Sequence, residues 1–331
     1  MQLIVLTSSF SSRARSDQAD NLVQAGMVVE ALTSLGHEVS MISATLDMES
    51  LSRQLSMLNP GLVFNLVEEI NGRGNFIHFA PAVLESMNIP FTGNGHSAMV
   101  TTSDKLLAKK VMLAHHILTP HWLTAEEVDQ NKSIKGGALV KSAWEHGSFG
   151  LETSCVFKDF SKDKIEKQIK KLRKRHGGVW FVEKYVPGRE INVSILDKPD
   201  GPVILPVAEI VFSDQSLKTA RIVGYKAKWN PGSKEEQCLS REFISGKENQ
   251  KLIRQVSDIA LHCWEVFEMS GYARVDFRVD SKGIPLVLEI NANPCLSPDA
   301  GFMAAAQEAG FSPDQVIQCI VQSGLARYGR E

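Results

Sequence analysis

A chain of 331 residues exceeds one small module and predicts about two or three domains. Lys+Arg 36 against Asp+Glu 38 leave a net charge of −2, which argues against a general nucleic-acid binder, and 43% hydrophobic with 22% charged residues excludes a disordered chain. Five cysteines without a C-x-x-C pair give neither a disulfide framework nor a zinc knuckle and fit a reducing, cytoplasmic setting; MQLIVLTSSF does not read as a signal peptide, and no stretch reaches the ~18 apolar residues of a membrane span.

Leu3–Leu6 reads as a parallel strand buried on both faces. A helix follows, with Leu22, Ala25, Val29 and Leu32 at helical spacing and Gly36 as its C-cap. Glu38–Ile42 and Val63–Val67 read as the next strands, and a helix through Ala82–Met87 leads to Ile89–Thr92. This βαβα order predicts a parallel sheet with sites beyond its carboxyl ends, at the loops Thr7–Asp17 and Glu68–Asn75. A Gly-rich stretch at Thr92–His96 marks a boundary; its G-x-G-x-x-A pattern lies too far past the first strand for a dinucleotide fingerprint.

Beyond it come a helix at Asp104–Ala114, a strand at Ala138–Lys141, a loop at Glu145–Gly150, and a helix at Lys162–His176 with eight Lys/Arg against two acids. That helix reads as amphipathic with a solvated basic face, since Ile165, Ile169 and Leu172 share one side. Strands at Trp180–Tyr185, Ile191–Leu196, Val203–Phe212, Arg274–Asp280 and Pro285–Ile290 follow, interrupted by a long helix with Leu252, Val256, Ile259, Cys263 and Phe267 on one face. The limits drawn from these patterns are 1–95, 96–186 and 187–331.

The strongest chemical signal is the last hairpin. Val275, Phe277 and Val279 alternate with Arg274, Asp276 and Arg278; Leu286, Leu288 and Ile290 alternate with Val287, Glu289 and Asn291. A two-residue loop (Lys282-Gly283) or a four-residue loop (Ser281–Ile284) both set Asp276 opposite Glu289 and Arg274 opposite Asn291, whereas a three-residue loop would slip the pairing. Opposed Cβ atoms lie ~4.5–5.5 Å apart, so two facing carboxylates want a cation between them. With Asn291 the set is all oxygen and suits Mg²⁺ or Mn²⁺, and Arg274 beside it balances an anionic ligand such as phosphate. Upstream, two glycines flank Ser148 after a strand ending at Lys141, an arrangement that lets backbone N–H groups approach phosphate oxygens. It is neither a Walker A loop nor a nucleophile elbow.

This hairpin, the Lys141–Gly150 loop and Val182–Glu190 occur in an order that resembles the ATP-grasp superfamily, in its D-alanine–D-alanine ligase-like branch. Val63–Val67, Pro81–Glu85, Ile89–Gly93, Ser103–Lys105 and Leu118–Pro120 extend the resemblance over roughly residues 60–320. It implies an α/β protein: an N-terminal parallel, Rossmann-like unit followed by two α+β lobes enclosing ATP. It also implies that Lys105, Lys141 and the loop around Ser148 hold the phosphates. Glu183, the Lys184 carbonyl and the Val186 N–H would read adenine, and Glu190 the ribose. Lys228 would reach the γ-phosphate from a mobile loop, Arg274 would stabilise the transferring phosphoryl group, and Asp276, Glu289 and Asn291 would bind two Mg²⁺ ions. The chemistry implied is ATP-dependent joining of a carboxylate to an amine through an acyl phosphate, on amino-acid or peptide substrates, by a cytoplasmic homodimer with no nucleic-acid or membrane partner.

The acceptor side departs from that branch. Its first-loop Glu is absent, its loop Ser falls on Gly147 and its Tyr on Trp229. Its Gly after the last strand reads as Cys295, and its carboxylate-binding Ser as Ala300. Arg13 and Arg15 become candidates for a substrate carboxylate. The reading is therefore a ligase with a changed amino-acid pocket; a D-alanine–D-alanine ligase with a rebuilt pocket and an ATP-binding scaffold without turnover are the alternatives.

Overall fold

Leu3, Ile4, Val5 and Leu6 are completely buried, as a central parallel strand requires. They belong to β1 (Gln2–Ser8), which lies between β2 (Glu38–Ala44) and β3 (Leu62–Leu66) in a parallel sheet. The computed structural model describes residues 1–9, 16–213, 221–230 and 232–330, without the side chains of 16–18, so Arg13 and Arg15 lie outside the described residues. Ile89–Thr92 adds only one parallel bridge, Val63 to Phe91.

The helix Ser16–Ser34 turns a different face inward from the one its apolar spacing predicts. Asn21, Gln24, Ala25, Val28 and Leu32 are buried, while Leu22 is 53% exposed. Hydrogen bonding explains the rotation: the Asn21 amide donates to the Leu66 carbonyl, and the Gln24 amide donates to Glu68.

A second, antiparallel sheet runs β4 (Trp122–Thr124), β7 (Trp180–Lys184), β5 (Ala138–Ser142) and β6 (Val156–Phe157). The basic helix Lys162–His176 covers it with Ile165, Ile169 and Leu172, as its spacing predicts. The third sheet is antiparallel in the order β11 (Leu239–Phe243), β10 (Ala208–Phe212), β8 (Arg189–Lys198), β12 (Tyr272–Val279) and β13 (Pro285–Asn291). β9 (Gly201–Ile204) also pairs with β8. The single strand expected over Val203–Phe212 is thus two, separated by Leu205–Val207, where Pro206 has no N–H for a ladder.

Two connections fix these sheets in place. Gly188 (φ +145°) enters β8 so close to β12 that a Cβ would sit 2.0 Å from the Val279 carbonyl oxygen. Asn94, inside the G-x-G-x-x-A stretch, donates to the carbonyls of Tyr272 and Ala292 and accepts from the Ser270 N–H. That stretch therefore works as a polar pin between the first and third sheets. The C-terminal helix Pro313–Ala326 returns to pack Ile317, Ile320 and Val321 in one core with Leu3, Val5 and Phe64. Among the described residues no helix is long and apolar enough to cross a membrane.

Candidate active site

The polar chemistry gathers where β12 and β13 leave the core. Asp276 stands opposite Glu289 and Arg274 opposite Asn291, as the alternation predicts. The turn does not follow either expected length. The Asp280 N–H donates to the Ile284 carbonyl and Val279 pairs with Pro285, so the loop holds the residues Ser281–Gly283. Such a loop by itself would place Leu288 opposite Asp276. A β-bulge between Asp276 and Phe277 absorbs Leu288 and restores the register at the site. It also breaks the expected Leu286/Leu288/Ile290 face: Val287 and Ile290 enter the core, whereas Leu286 pairs with Arg278 and Leu288 lines a cleft.

Asp276 accepts from Arg274 through Nε (2.7 Å) and Nη2 (2.8 Å), from Asn192 (2.8 Å) and from Asn291 (3.0 Å). Burial works against the Arg274 charge, but Asp276 more than compensates and keeps the guanidinium protonated. Burial likewise pushes the Glu289 carboxyl up. Lys105, whose Nζ is 3.8 Å away, together with Lys141 and Lys228 reverses this and holds Glu289 well below the usual carboxylate range.

Opposite this hairpin, Lys141 on β5 and Glu183 on β7 share one face of the second sheet and meet at 3.3 Å. Glu183 is also bound at 2.5 Å by Lys109, which projects from the helix Lys105–Ala114 and is completely buried. Burial raises the Glu183 carboxyl, and the two ammonium groups overturn that and lower it. Its oxygens are therefore largely committed to lysines, which limits what it offers a base. Glu190 accepts from Arg278 at 2.7 Å across the β8–β12 pairing. Lys105, Lys141, Ser148, Glu183, Lys184, Val186, Glu190, Lys228, Asp276 and Glu289 all line this cleft, and its walls come from both antiparallel sheets.

The loop Glu145–Gly150 forms the roof. Gly147 (φ +62°) and Ser148 (φ +62°) are both left-handed. The Ser148 hydroxyl donates to the Val223 carbonyl, and the Trp229 indole N–H donates to the Gly147 carbonyl at 2.8 Å. A Cβ at Gly147 would already touch the indole at 3.4 Å. Gly147 and Trp229, two of the positions where the resemblance departs, thus meet in space: the absence of a side chain at one makes room for the ring of the other. His146 lies beside them. Burial first, and then Lys105, drive its pKa down to about 3, so the ring is neutral.

A second, larger cavity adjoins the first and shares Glu190, Lys228 and Asp276 with it. Gly147, Trp229, Arg274, Asn291 and Cys295 line it. Cys295 is held in its thiol form: burial pushes it up, and its S–H donates to Asp20 at 2.9 Å. Glu68 lies nearby, with its pKa raised to about 7 chiefly by burial and further by Asp20.

Two opposed carboxylates and an amide oxygen form a hard donor set, which fits Mg²⁺ or Mn²⁺. Among the described residues no cluster of three His, Cys, Asp or Glu competes with it. Asp276 already accepts four N–H donors, close to the capacity of a carboxylate, so a cation there must displace one of them. Sequence reasoning missed Lys109, Asn192, Arg278 and His146. Only Arg278 carried a signal, sharing the alternating face of Arg274 and Asp276. Asn192 sits between Ile191 and Val193 and Lys109 beside Lys110, with no pattern to mark either.

A parallel α/β unit followed by two antiparallel sheets that face each other across a lysine-lined cleft defines an ATP-grasp ligase. The family described as D-ala D-ala ligase C-terminus matches residues 116–322. The chain is 30% identical over 255 residues to the D-alanine--D-alanine ligase of Carboxydothermus hydrogenoformans, covering 73% of this chain and 75% of the relative. It is 28% identical over 310 residues to the uncharacterized protein y4sG of Sinorhizobium fredii, covering 92% and 88%. The crystal structure of the Bacillus anthracis D-alanine--D-alanine ligase has the same fold, with a TM-score of 0.74 and 99% of each chain covered at 22% identity. The chain belongs to the D-alanine–D-alanine ligase family.

Proposed function

We propose that this chain is an ATP-dependent carboxylate–amine ligase, with a changed amino-acid pocket, that forms a peptide or amide bond through an acyl phosphate. The observation that carries it is the convergence of Lys105, Lys141 and Lys228 on a cleft floored by the Asp276–Glu289 pair, where Glu289 is held ionised. Lys105, Lys141 and the N–H groups of the Ser148 loop receive the phosphates of ATP. The strand end at Glu183–Val186 meets the adenine, and Glu190, oriented by Arg278, meets the ribose. A donor carboxylate oxygen attacks the γ-phosphorus as the bond to ADP breaks, with Lys228 and Arg274 countering the charge. An amine then attacks the acyl carbon, phosphate leaves, and the amine proton is lost. Mg²⁺ bound by Asp276, Glu289 and Asn291 supplies charge neutralisation on the phosphates. These steps need little covalent chemistry from the protein and much positioning, which this buried set of cations provides.

The pocket part of the proposal rests on the Trp229–Gly147 contact, on the half-buried thiol at Cys295 and on Ala300, the N-cap of the helix Gly301–Glu308, where a hydroxyl is missing. The lobe limits 1–95, 96–186 and 187–331 belong to the same proposal, as does a cytoplasmic setting, with which the five free cysteines agree. The reading as a D-alanine–D-alanine ligase draws on the names of the relatives. ADP formation with pooled amino acids and dipeptides tests the ligase chemistry: it should depend on both Mg²⁺ and an amine, and fall at least about a hundredfold in Asp276→Ala. ADP formation unchanged by that substitution would remove the metal assignment, and no amine dependence under any pool would favour a scaffold.

A further inference from the structure

The wall of the second cavity holds a cation that the reaction does not use. Arg241 projects from β11, the outermost strand of the third sheet, and lines the cavity alongside Arg274. Its only hydrogen bonds among the described residues run from Nη1 and Nη2 to the backbone carbonyl of Asp299, at 3.4 and 3.3 Å. Among the described residues it forms no ion pair. Burial and the neighbouring Arg274 both work against its charge; the Asp299 carboxylate gives partial support. Glu236, another acid of this cavity, is turned to the backbone N–H of Gly232.

Arg274 spends Nε and Nη2 on Asp276, and its Nη1 makes no hydrogen bond among the described residues. The two guanidinium groups meet at Gly301, where a Cβ would lie 3.7 Å from Arg274 Nη1 and 3.8 Å from Arg241 Nη2. Gly301 opens the helix Gly301–Glu308, whose first N–H groups have no partner within the helix. One end of the cavity thus collects two guanidinium groups and the first N–H donors of the helix, with Asp276 paired to Arg274 and the Asp299 carboxylate near Arg241. One carboxylate on the helix N–H groups and Arg274 Nη1 would leave the Arg241 fork unsatisfied. Asp276 already balances Arg274, so the open charge at this end is the Arg241 fork, and a second anionic group on the ligand would pair with it.

We infer that Arg241 is a specificity-determining residue and that the amine acceptor carries a second carboxylate, as an acidic amino acid does. This rests on the ligase reading for the word acceptor, but the binding it describes does not require turnover. The test is therefore thermal stabilisation and calorimetric titration of the full chain with D- and L-aspartate and glutamate, each beside its amide, at neutral pH with Mg²⁺-ADP present. The acids of one hand should bind at least about tenfold more tightly than their amides. Arg241→Met should bring acid and amide level while leaving the ADP affinity unchanged, and Arg241→Lys should restore part of the preference. Equal binding of acid and amide by the parent protein overturns the inference, and so does an undiminished acid preference in Arg241→Met. Amine-dependent ADP formation is measured alongside. Its absence together with an Arg241-dependent acid preference would sink the ligase reading and leave this one standing.

Discussion

Glu68 is held among Gln24, Asp20 and Asn21 beyond the carboxyl end of β3, where the amides of Gln24 and Asn21 favour its charged form but burial and Asp20 oppose it more strongly. With its pKa moved from an ordinary 4.5 to about 7, the folded protein keeps a proton that the unfolded chain has released between those values. The folded state binds more protons there, so stability falls as pH rises through that window and the loss is complete above about pH 7. Glu68→Gln should therefore flatten the decline of melting temperature between pH 5 and 8. At pH 8 it should stabilise the protein by on the order of 1–2 kcal/mol, discounted for partial exposure. A variant whose pH profile parallels that of the parent would mean that Glu68 is ionised in the fold. Glu68 also shows how a site residue can hide: the loop that carries it was expected to matter from strand order, but nothing in its residue type marked it over Glu69.

At the scale of elements, the β12–β13 hairpin was the most legible part of the site, and its legibility came through a cancellation. Alternation revealed the Arg274/Asp276 face, while the turn Asp280–Gly283 fitted more than one loop length. The actual loop slips the register by one residue, and the bulge at Leu288 slips it back. A bulge leaves no mark in a run of apolar residues, so the alternation of Pro285–Asn291 misassigned Val287 and Leu286. Deleting Leu288 provides a test. In the three-residue-loop register, Glu289 would then stand opposite Asp276 without a bulge, so Mg²⁺ dependence should survive. The lost apolar contact in the cleft should raise the KM for ATP about fivefold, as about 1 kcal/mol of packing implies. Complete loss of turnover in a folded deletion variant would show that the bulge itself shapes the site. The helix Ser16–Ser34 and the strand pair around Pro206 failed for related reasons: buried amides outrank apolar spacing, and one proline divides an otherwise continuous strand pattern.

For the whole molecule, strand–helix order was enough to foresee the N-terminal parallel unit, since order along the chain is what the sequence encodes most directly, whereas the two lobes that follow came from the family resemblance. It could not foresee that the last helix returns to the first sheet, or that Asn94 ties the Gly-rich stretch to the third. Those are long-range contacts made by unremarkable residues. Their effect is to hold the second cavity, the proposed acceptor site, between the N-terminal unit, which contributes Asp20 and Glu68, and the third sheet, which contributes Arg241, Arg274 and Asn291. The cleft proposed for the nucleotide, by contrast, lies between the two antiparallel sheets. On the proposed reading, substitutions confined to the second cavity would change the amino-acid substrate while the ATP-binding half keeps its pattern, and Gly147, Trp229 and Cys295 all line that cavity. The most direct test is the rate of ADP formation with D-alanine as sole amino acid against a panel of other amino acids and dipeptides, with each product identified by mass. A dipeptide or amide other than D-alanyl-D-alanine should form at least about tenfold faster than it; fastest turnover on D-alanine alone would contradict a changed acceptor pocket.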